Sequence, residues 1–266
     1  MTGEPATVRG TIAYEVQCPG RALPRTELPW NSDFHLVLVE SREQGAVSIE
    51  VTCAVSADPV KTQSDADVIA GRIAREISFR FSCPVGRTVC CSSSIPHFDA
   101  EGHLNWTVST SDTSAWRSSA PDYGSPPASA VLGILAAARD MADPRRDVDL
   151  ELFRSALSSM DPIARFVLLY TTLQEILLRN QDDLDDWICE KYPAVNETIK
   201  PQRAPRTRTA KKRAKETGFT RVRNSLGHDR SQPSFGATLD DARRLVQKLQ
   251  ELVVLAISKK YETRIP

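Results

Sequence analysis

The sequence lacks net charge and any long apolar run. Its 34 basic residues balance 34 acidic ones over 266 positions, so no overall field would attract a nucleic acid. A polyanionic partner would therefore need a local basic patch. No apolar stretch reaches the length of a membrane span, and the first residues lack the pattern of a secretory signal. We therefore expect a cytoplasmic protein that does not bind membranes.

Metal, cofactor and disulfide signatures are also missing. None of the six cysteines lies in a Cys-x-x-Cys pair or near a histidine at zinc-ligand spacing, which predicts reduced core thiols, no metal and no cofactor. The chain has no Gly-rich phosphate loop and no Gly-x-Ser-x-Gly elbow. With 41% hydrophobic and 26% charged residues, the composition is typical of globular proteins, and the length allows two domains.

The N-terminal part, residues 1–112, predicts a small mixed β-sheet with one covering helix. Apolar and polar residues alternate over residues 7–18, as in a half-buried strand. A similar alternation over residues 104–108 would place Trp106 in the core. The helix is predicted to start at Ser64, with Asp67 completing a capping pair. Similar patterns predict further strands at residues 34–40, 47–53, 85–91 and 104–108.

Residues 113–125 form a predicted linker, since Ser, Thr, Pro and Gly interrupt both periodicities there. Beyond it, residues 126–266 predict an all-α bundle, so the whole chain is of the α+β class. Asp161 as N-cap and Pro162 at the first helical position mark one start clearly. The predicted helices cover residues 126–142, 147–160, a segment from 162, 182–192, 207–226 and a last segment from 238.

The end of the penultimate predicted helix carries the residues with the most chemistry. Arg223 lies at the margin of the apolar stripe, and Gly227 is expected to be a left-handed C-cap that folds His228 back beside the helix. A guanidinium and an imidazole would then share one small surface. The stripe itself repeats every four residues, at Ala210, Ala214, Gly218, Val222 and Leu226.

The string Arg223-Asn224-x-x-x-His228 resembles the Arg-x(4 to 6)-His signature of the HEPN superfamily, in its usual place before the last helix. This resemblance implies a helical bundle that acts as a homodimer, with the two signatures facing each other across a twofold axis. It also implies a metal-independent endoribonuclease.

A second segment supports the resemblance, which covers residues 126–261. Residues 161–170 are similar to the first long helix of that domain. In the family, this helix often carries a Glu soon after its Tyr. Here Gln174 stands at the matching place, with Glu175 next to it, which departs from the pattern.

The residue types also fit cleavage of RNA by its own 2′-OH, which leaves a 2′,3′-cyclic phosphate and a 5′-OH. That reaction needs proton transfer near neutral pH, for which His228 is suited. It also needs positive charge on the phosphorane, which the fork of Arg223 would supply. Asn224 would hold the histidine or the scissile phosphate through its amide.

A basic segment leads into this string. Residues 200–223 contain ten basic residues and the single acid Glu216, which predicts a track for RNA phosphates. The alternative is a solvated face paired with the acidic predicted helix at residues 182–192. The substrate-binding residues expected here are Lys211, Lys212, Arg213, Lys215 and Arg221.

We therefore expect a homodimeric, metal-independent endoribonuclease whose composite site contains Arg223, Asn224 and His228. By analogy with HEPN effectors, the setting would be a toxin or anti-phage defence, with the N-terminal domain sensing a trigger or binding a regulatory partner. Two other functions stay open on the sequence alone. One is a non-catalytic module that binds RNA or a nucleotide, and the other is a regulatory module that uses the bundle only to dimerise.

Overall fold

The structure, a computed structural model, is of the α+β class and divides into two compact units, residues 1–147 and 148–266. Among the residues it describes, no helix combines the length and the hydropathy needed to cross a bilayer. The described ranges are 8–42, 45–111, 124–140, 143–193, 216–228 and 235–262.

The N-terminal unit contains a six-stranded sheet in the order β2-β3-β4-β1-β5-β6, and every neighbouring pair is antiparallel. The prediction of a mixed sheet is wrong in this respect. Strands β4 and β5 do run in the same direction, but β1 lies between them. The prediction failed because an alternation of apolar and polar residues carries no information on strand direction. The strands are β1 (Gly10–Gln17), β2 (Thr26–Pro29), β3 (Phe34–Ser41), β4 (Ala46–Cys53), β5 (Val89–Phe98) and β6 (Leu104–Thr110).

Helix α1 (Pro59–Phe81) covers one face of this sheet. Its N-cap is Asp58, whose carboxylate accepts from the backbone N–H groups of Val60 and Lys61, both at 3.0 Å. The helix therefore begins before the predicted Ser64, because Asp58 followed by proline is the stronger start. The predicted stripe is confirmed, since Ala66, Ile69, Ala70, Ile73, Ala74 and Ile77 are all buried.

Helix α2 (Ala128–Arg139) also belongs to the N-terminal unit. Its buried residues join the same core as the sheet and α1, so two helices cover the sheet and not one. This segment was predicted to belong to the C-terminal bundle, because an apolar stripe does not reveal which surface will cover it. The two units divide after Asp147, well beyond the predicted linker. The buried α2 residues are Val131, Ile134, Leu135 and Ala138.

Strand β6 lies at one edge of the sheet and is exposed along its length. Trp106 pairs with Pro96, whereas the buried Ile95 pairs with Thr107. Because successive residues point to opposite faces, Trp106 lies on the face away from α1 and is 43% exposed. The prediction that Trp106 is a core residue is therefore wrong.

The C-terminal unit is helical. Asp161 accepts from the N–H of Ile163 at 3.0 Å and Pro162 opens the next helix, as predicted. Within the unit, α4 and α6 both pack on α7, and Asp149 accepts from Lys260 at 2.7 Å and from Tyr261 at 2.6 Å. The first turn of α3 (Pro144–Ser158) precedes the boundary between the units, and the rest of α3 belongs to the C-terminal unit. The other helices of this unit are α4 (Pro162–Leu177), α5 (Gln181–Lys191), α6 (Gly218–His228) and α7 (Phe235–Glu262).

Candidate active site on helix α6

Helix α6 carries the predicted catalytic string. Thr217 precedes it, and the Thr217 hydroxyl accepts from the N–H of Thr220 at 3.3 Å while its carbonyl accepts from the N–H of Arg221 at 2.9 Å. Thr217 thus acts as an N-cap. The buried face contains Phe219, Val222 and Leu226, which confirms the last two positions of the predicted stripe. Its first two positions, Ala210 and Ala214, lie outside the described residues.

Three side chains form a hydrogen-bonded chain on the outer face of α6. The exposed Arg223 donates from Nη1 to Asn224 Oδ1 at 3.1 Å, and Asn224 donates from Nδ2 to Glu216 Oε1 at 2.9 Å. The amide thus links a carboxylate to a guanidinium. Since a guanidinium has five N–H donors, the single bond to Asn224 is compatible with a fork that binds phosphate oxygens. Glu216, which fixes the amide, was not predicted as a site residue.

Gly227 lies inside α6, so its predicted role as a left-handed C-cap is wrong. The helix continues to His228, whose side chain lies outside the described residues, and the predicted meeting of that imidazole with Arg223 stays a prediction. Position 228 lies one helical turn after Asn224, on the same face. Positions 223 and 228, however, lie about 140° apart around the axis and about 7.5 Å apart along it.

A buried polar network lies behind this surface. Asp185, on α5, is 2% exposed and accepts from the hydroxyls of Thr217 at 2.5 Å and Thr220 at 2.7 Å. Because the Thr220 hydroxyl donates to Asp185, it accepts from the Tyr170 hydroxyl at 2.8 Å. The network connects α4, α5 and the start of α6. Asp185 was not predicted as a site residue, although the apolar Leu184 and Ile188 beside it on α5, both buried, were a signal of burial.

Burial governs the ionisation of this network. Desolvation raises the pKa of Asp185, and the hydrogen bonds from Thr217 and Thr220 oppose that rise. Desolvation also raises the pKa of Tyr170, while the charge of Arg223 acts in the opposite direction. Tyr170 is therefore a neutral donor at physiological pH and no candidate for a catalytic base.

We expect Asp185→Asn to change how stability depends on pH. The folded pKa of Asp185 lies above its unfolded value, so the wild-type folded state binds the extra proton between those two values. The wild-type free energy of unfolding therefore falls as pH rises through that window, and the uncharged amide removes this fall. In urea unfolding from acid to neutral pH, the free energy of unfolding of the variant minus that of the wild type should rise through this window and then stay constant. A value of this difference that falls as pH rises would contradict the raised pKa.

The predicted phosphate track is described only in part. Lys211, Lys212, Arg213 and Lys215 lie outside the described residues. Arg221 lies 3.5 Å from Asp241, so its charge already has an acidic neighbour on α7. Glu175 is exposed on α4. It lies next to Gln174, the position at which the sequence departs from the family pattern.

In the part of the chain that the structure describes, no cluster of three His, Cys, Asp or Glu side chains is placed to hold a metal ion. The described site is thus a cation and an amide on α6 and a carboxylate just before that helix, with buried hydroxyl groups behind them. Comparison of the chain with protein-family models, curated proteins and solved structures gave no match.

Proposed function

We propose that the helical unit is a metal-independent endoribonuclease in which Arg223 binds the scissile phosphate and His228 transfers a proton. The observation that carries the proposal is the chain of hydrogen bonds from Glu216 through Asn224 to the exposed Arg223. It holds a permanent cation at the surface of α6, five residues before His228, the residue able to exchange protons. The resemblance of this string to the HEPN signature supports the same assignment.

Preorganisation explains how this arrangement would favour the transition state. A phosphorane gains negative charge on its oxygens, and a donor fixed before the reaction stabilises that charge without reorganising. Asn224 orients the guanidinium, and the buried hydrogen bonds that Thr217 and Thr220 donate to Asp185 fix the first turn of α6. The 2′-OH attacks the phosphorus, the 5′-oxygen leaves, and a 2′,3′-cyclic phosphate and a 5′-OH result.

A twofold homodimer would complete the site. Within one copy, positions 223 and 228 lie on different sides of α6, so two copies bring an arginine and a histidine to one phosphate more readily than one does. In-line cleavage also benefits from a base on one side and an acid on the other, which two imidazoles supply. The RNA backbone would follow Lys211, Lys212, Arg213, Lys215 and Arg221 into the site.

By analogy with HEPN effectors, we propose a toxin or anti-phage role in which the N-terminal unit responds to a trigger or a regulatory partner. The alternative functions, RNA or nucleotide binding without cleavage and dimerisation in a regulatory role, use the same surface. A cleavage assay separates them from the nuclease.

We expect the purified protein to cleave total RNA in the presence of EDTA. The chemistry needs only the 2′-OH, proton transfer and a cation, so chelation of divalent ions should leave the rate unchanged. End analysis should find 2′,3′-cyclic phosphate and 5′-OH termini. Cleavage that requires a divalent ion would contradict the mechanism, and RNA binding without cleavage would favour the non-catalytic alternative. The control is Arg223→Ala protein purified in parallel, which detects contaminating nucleases.

A further inference from the structure

Two cysteine thiols meet inside the N-terminal unit, far from any residue of the proposed nuclease in sequence. The Sγ atoms of Cys18 and Cys83 lie 3.8 Å apart. Both residues are buried, at 0% and 3% exposure. Cys18 directly follows β1, and Cys83 follows the C-terminal end of α1. The pair thus joins the central strand of the sheet to the helix that covers it.

The backbone holds both cysteines in place. The N–H of Gly86 donates to the carbonyl of Gln17 at 2.8 Å, which ties the segment after α1 to the end of β1. Cys18 donates to Gly45 at 2.8 Å, and the Ser78 hydroxyl donates to the carbonyl of Cys83 at 2.8 Å. A disulfide needs a sulfur separation of about 2 Å. From 3.8 Å, the two sulfur atoms would have to approach each other by about 2 Å.

The two thiols differ in acidity. A hydrogen bond from Cys18 and the positive charge of Arg21 lower the pKa of Cys83, whereas the pKa of Cys18 is raised by its bond with Cys83 and by burial. Arg21 is held beside the pair, with its guanidinium 5.1 Å from the centre of the Phe81 ring. The lowered pKa favours the thiolate form of Cys83, which is the form that reacts with peroxides. Burial raises the pKa of Cys53, Cys90 and Cys91.

We propose that Cys18 and Cys83 form an oxidisable dithiol that hydrogen peroxide converts to a disulfide. The Cys83 thiolate attacks one peroxide oxygen, so an S–O bond forms, the O–O bond breaks, and the departing hydroxide takes a proton to become water. Cys18 then attacks the sulfenic sulfur, so the S–S bond forms and a second water leaves. Two thiols and one peroxide thus give one disulfide and two waters.

Peptide mapping of peroxide-treated, folded protein tests this directly, because trypsin separates the two cysteines cleanly. Cys18 falls in peptide 10–21 and Cys83 in peptide 81–87, each with a single cysteine. After a denaturing quench with an alkylating agent, we expect the two peptides to appear as one cross-linked species that dithiothreitol separates. Two alkylated peptides, or either peptide joined to one that contains another cysteine, would overturn the proposal.

Two further measurements use the native chain and a matched variant. The disulfide would link residues 65 positions apart, so we expect the melting temperature of the N-terminal unit to rise by roughly 5–10 °C on oxidation. In Cys18→Ser protein, peroxide should leave Cys83 as a sulfenic acid that dimedone traps, without a cross-link. Should that variant fail to fold, peptide mapping of the wild-type protein still tests whether the disulfide forms.

Discussion

Replacing His228 with alanine is expected to lower kcat for RNA cleavage by about 10²–10⁴-fold, with little change in RNA affinity, because the substitution removes proton transfer and not phosphate binding. Arg223→Lys should also be defective although the charge is kept, since an ammonium cannot reproduce the bidentate fork. Single-turnover kinetics on a defined RNA, with a separate binding assay, distinguish the two effects. A suitable control is His103→Ala, because His103 is exposed in the N-terminal unit.

Wild-type activity in His228→Ala would remove the catalytic assignment altogether. If cleavage is lost, a mixing experiment then tests the composite site. Excess His228→Ala chain is added to wild type under conditions that permit subunit exchange, and activity is measured for each wild-type chain. We expect that activity to fall as heterodimers form. Constant activity would show that each copy carries its own complete site.

Phe219→Ala is expected to lower the free energy of unfolding by about 3–5 kcal/mol, the usual loss for a large aromatic side chain removed from a core. Phe219 is fully buried on α6, the helix that carries the proposed site. Far-UV circular dichroism during urea unfolding, which follows mainly the helices, measures the change. Arg223 is exposed on the same helix, so Arg223→Ala should alter stability by less than about 0.5 kcal/mol.

The matched control is Arg243→Ala, since Arg243 is exposed on α7 and pairs with Asp240 of the same helix at 2.9 Å. This variant should keep both stability and cleavage. Together, the substitutions separate packing from chemistry. Phe219→Ala should mainly lower stability, whereas Arg223→Ala should lower cleavage alone. Wild-type stability in Phe219→Ala would contradict the packing of α6 against its neighbours.

Local chemistry explains which parts of the fold were predictable. The start of α4 was predicted correctly because Asp161 and Pro162 act within one helical turn. The buried stripe of α1 follows from its own periodicity in the same way. The antiparallel order of the sheet and the attachment of α2 depend on which surfaces meet across long stretches of chain. Nothing in a local pattern determines those contacts.

The candidate site shows the same contrast between local patterns, which were predictable, and long-range contacts, which were not. The burial of Val222 and Leu226 and the exposure of Arg223 followed from helical periodicity. The role of Asp185 did not, because it depends on hydroxyls 32 and 35 residues further along the chain. Gly227 was expected to end the helix because glycine is the usual residue at a left-handed C-cap, yet α6 continues through it. Such a preference is only a weak guide where packing holds the neighbouring residues.

The two edges of the sheet are unequally protected against unwanted pairing. Edge strand β2 carries Glu27 and Pro29, a charge and a missing N–H donor that discourage another strand from adding. Edge strand β6 has neither a charge nor a proline, and its alternating Leu104, Trp106 and Val108 are exposed. Of these two edges, β6 is therefore the easier starting point for non-specific aggregation at high protein concentration. A lysine at position 108 would protect that edge without touching the core.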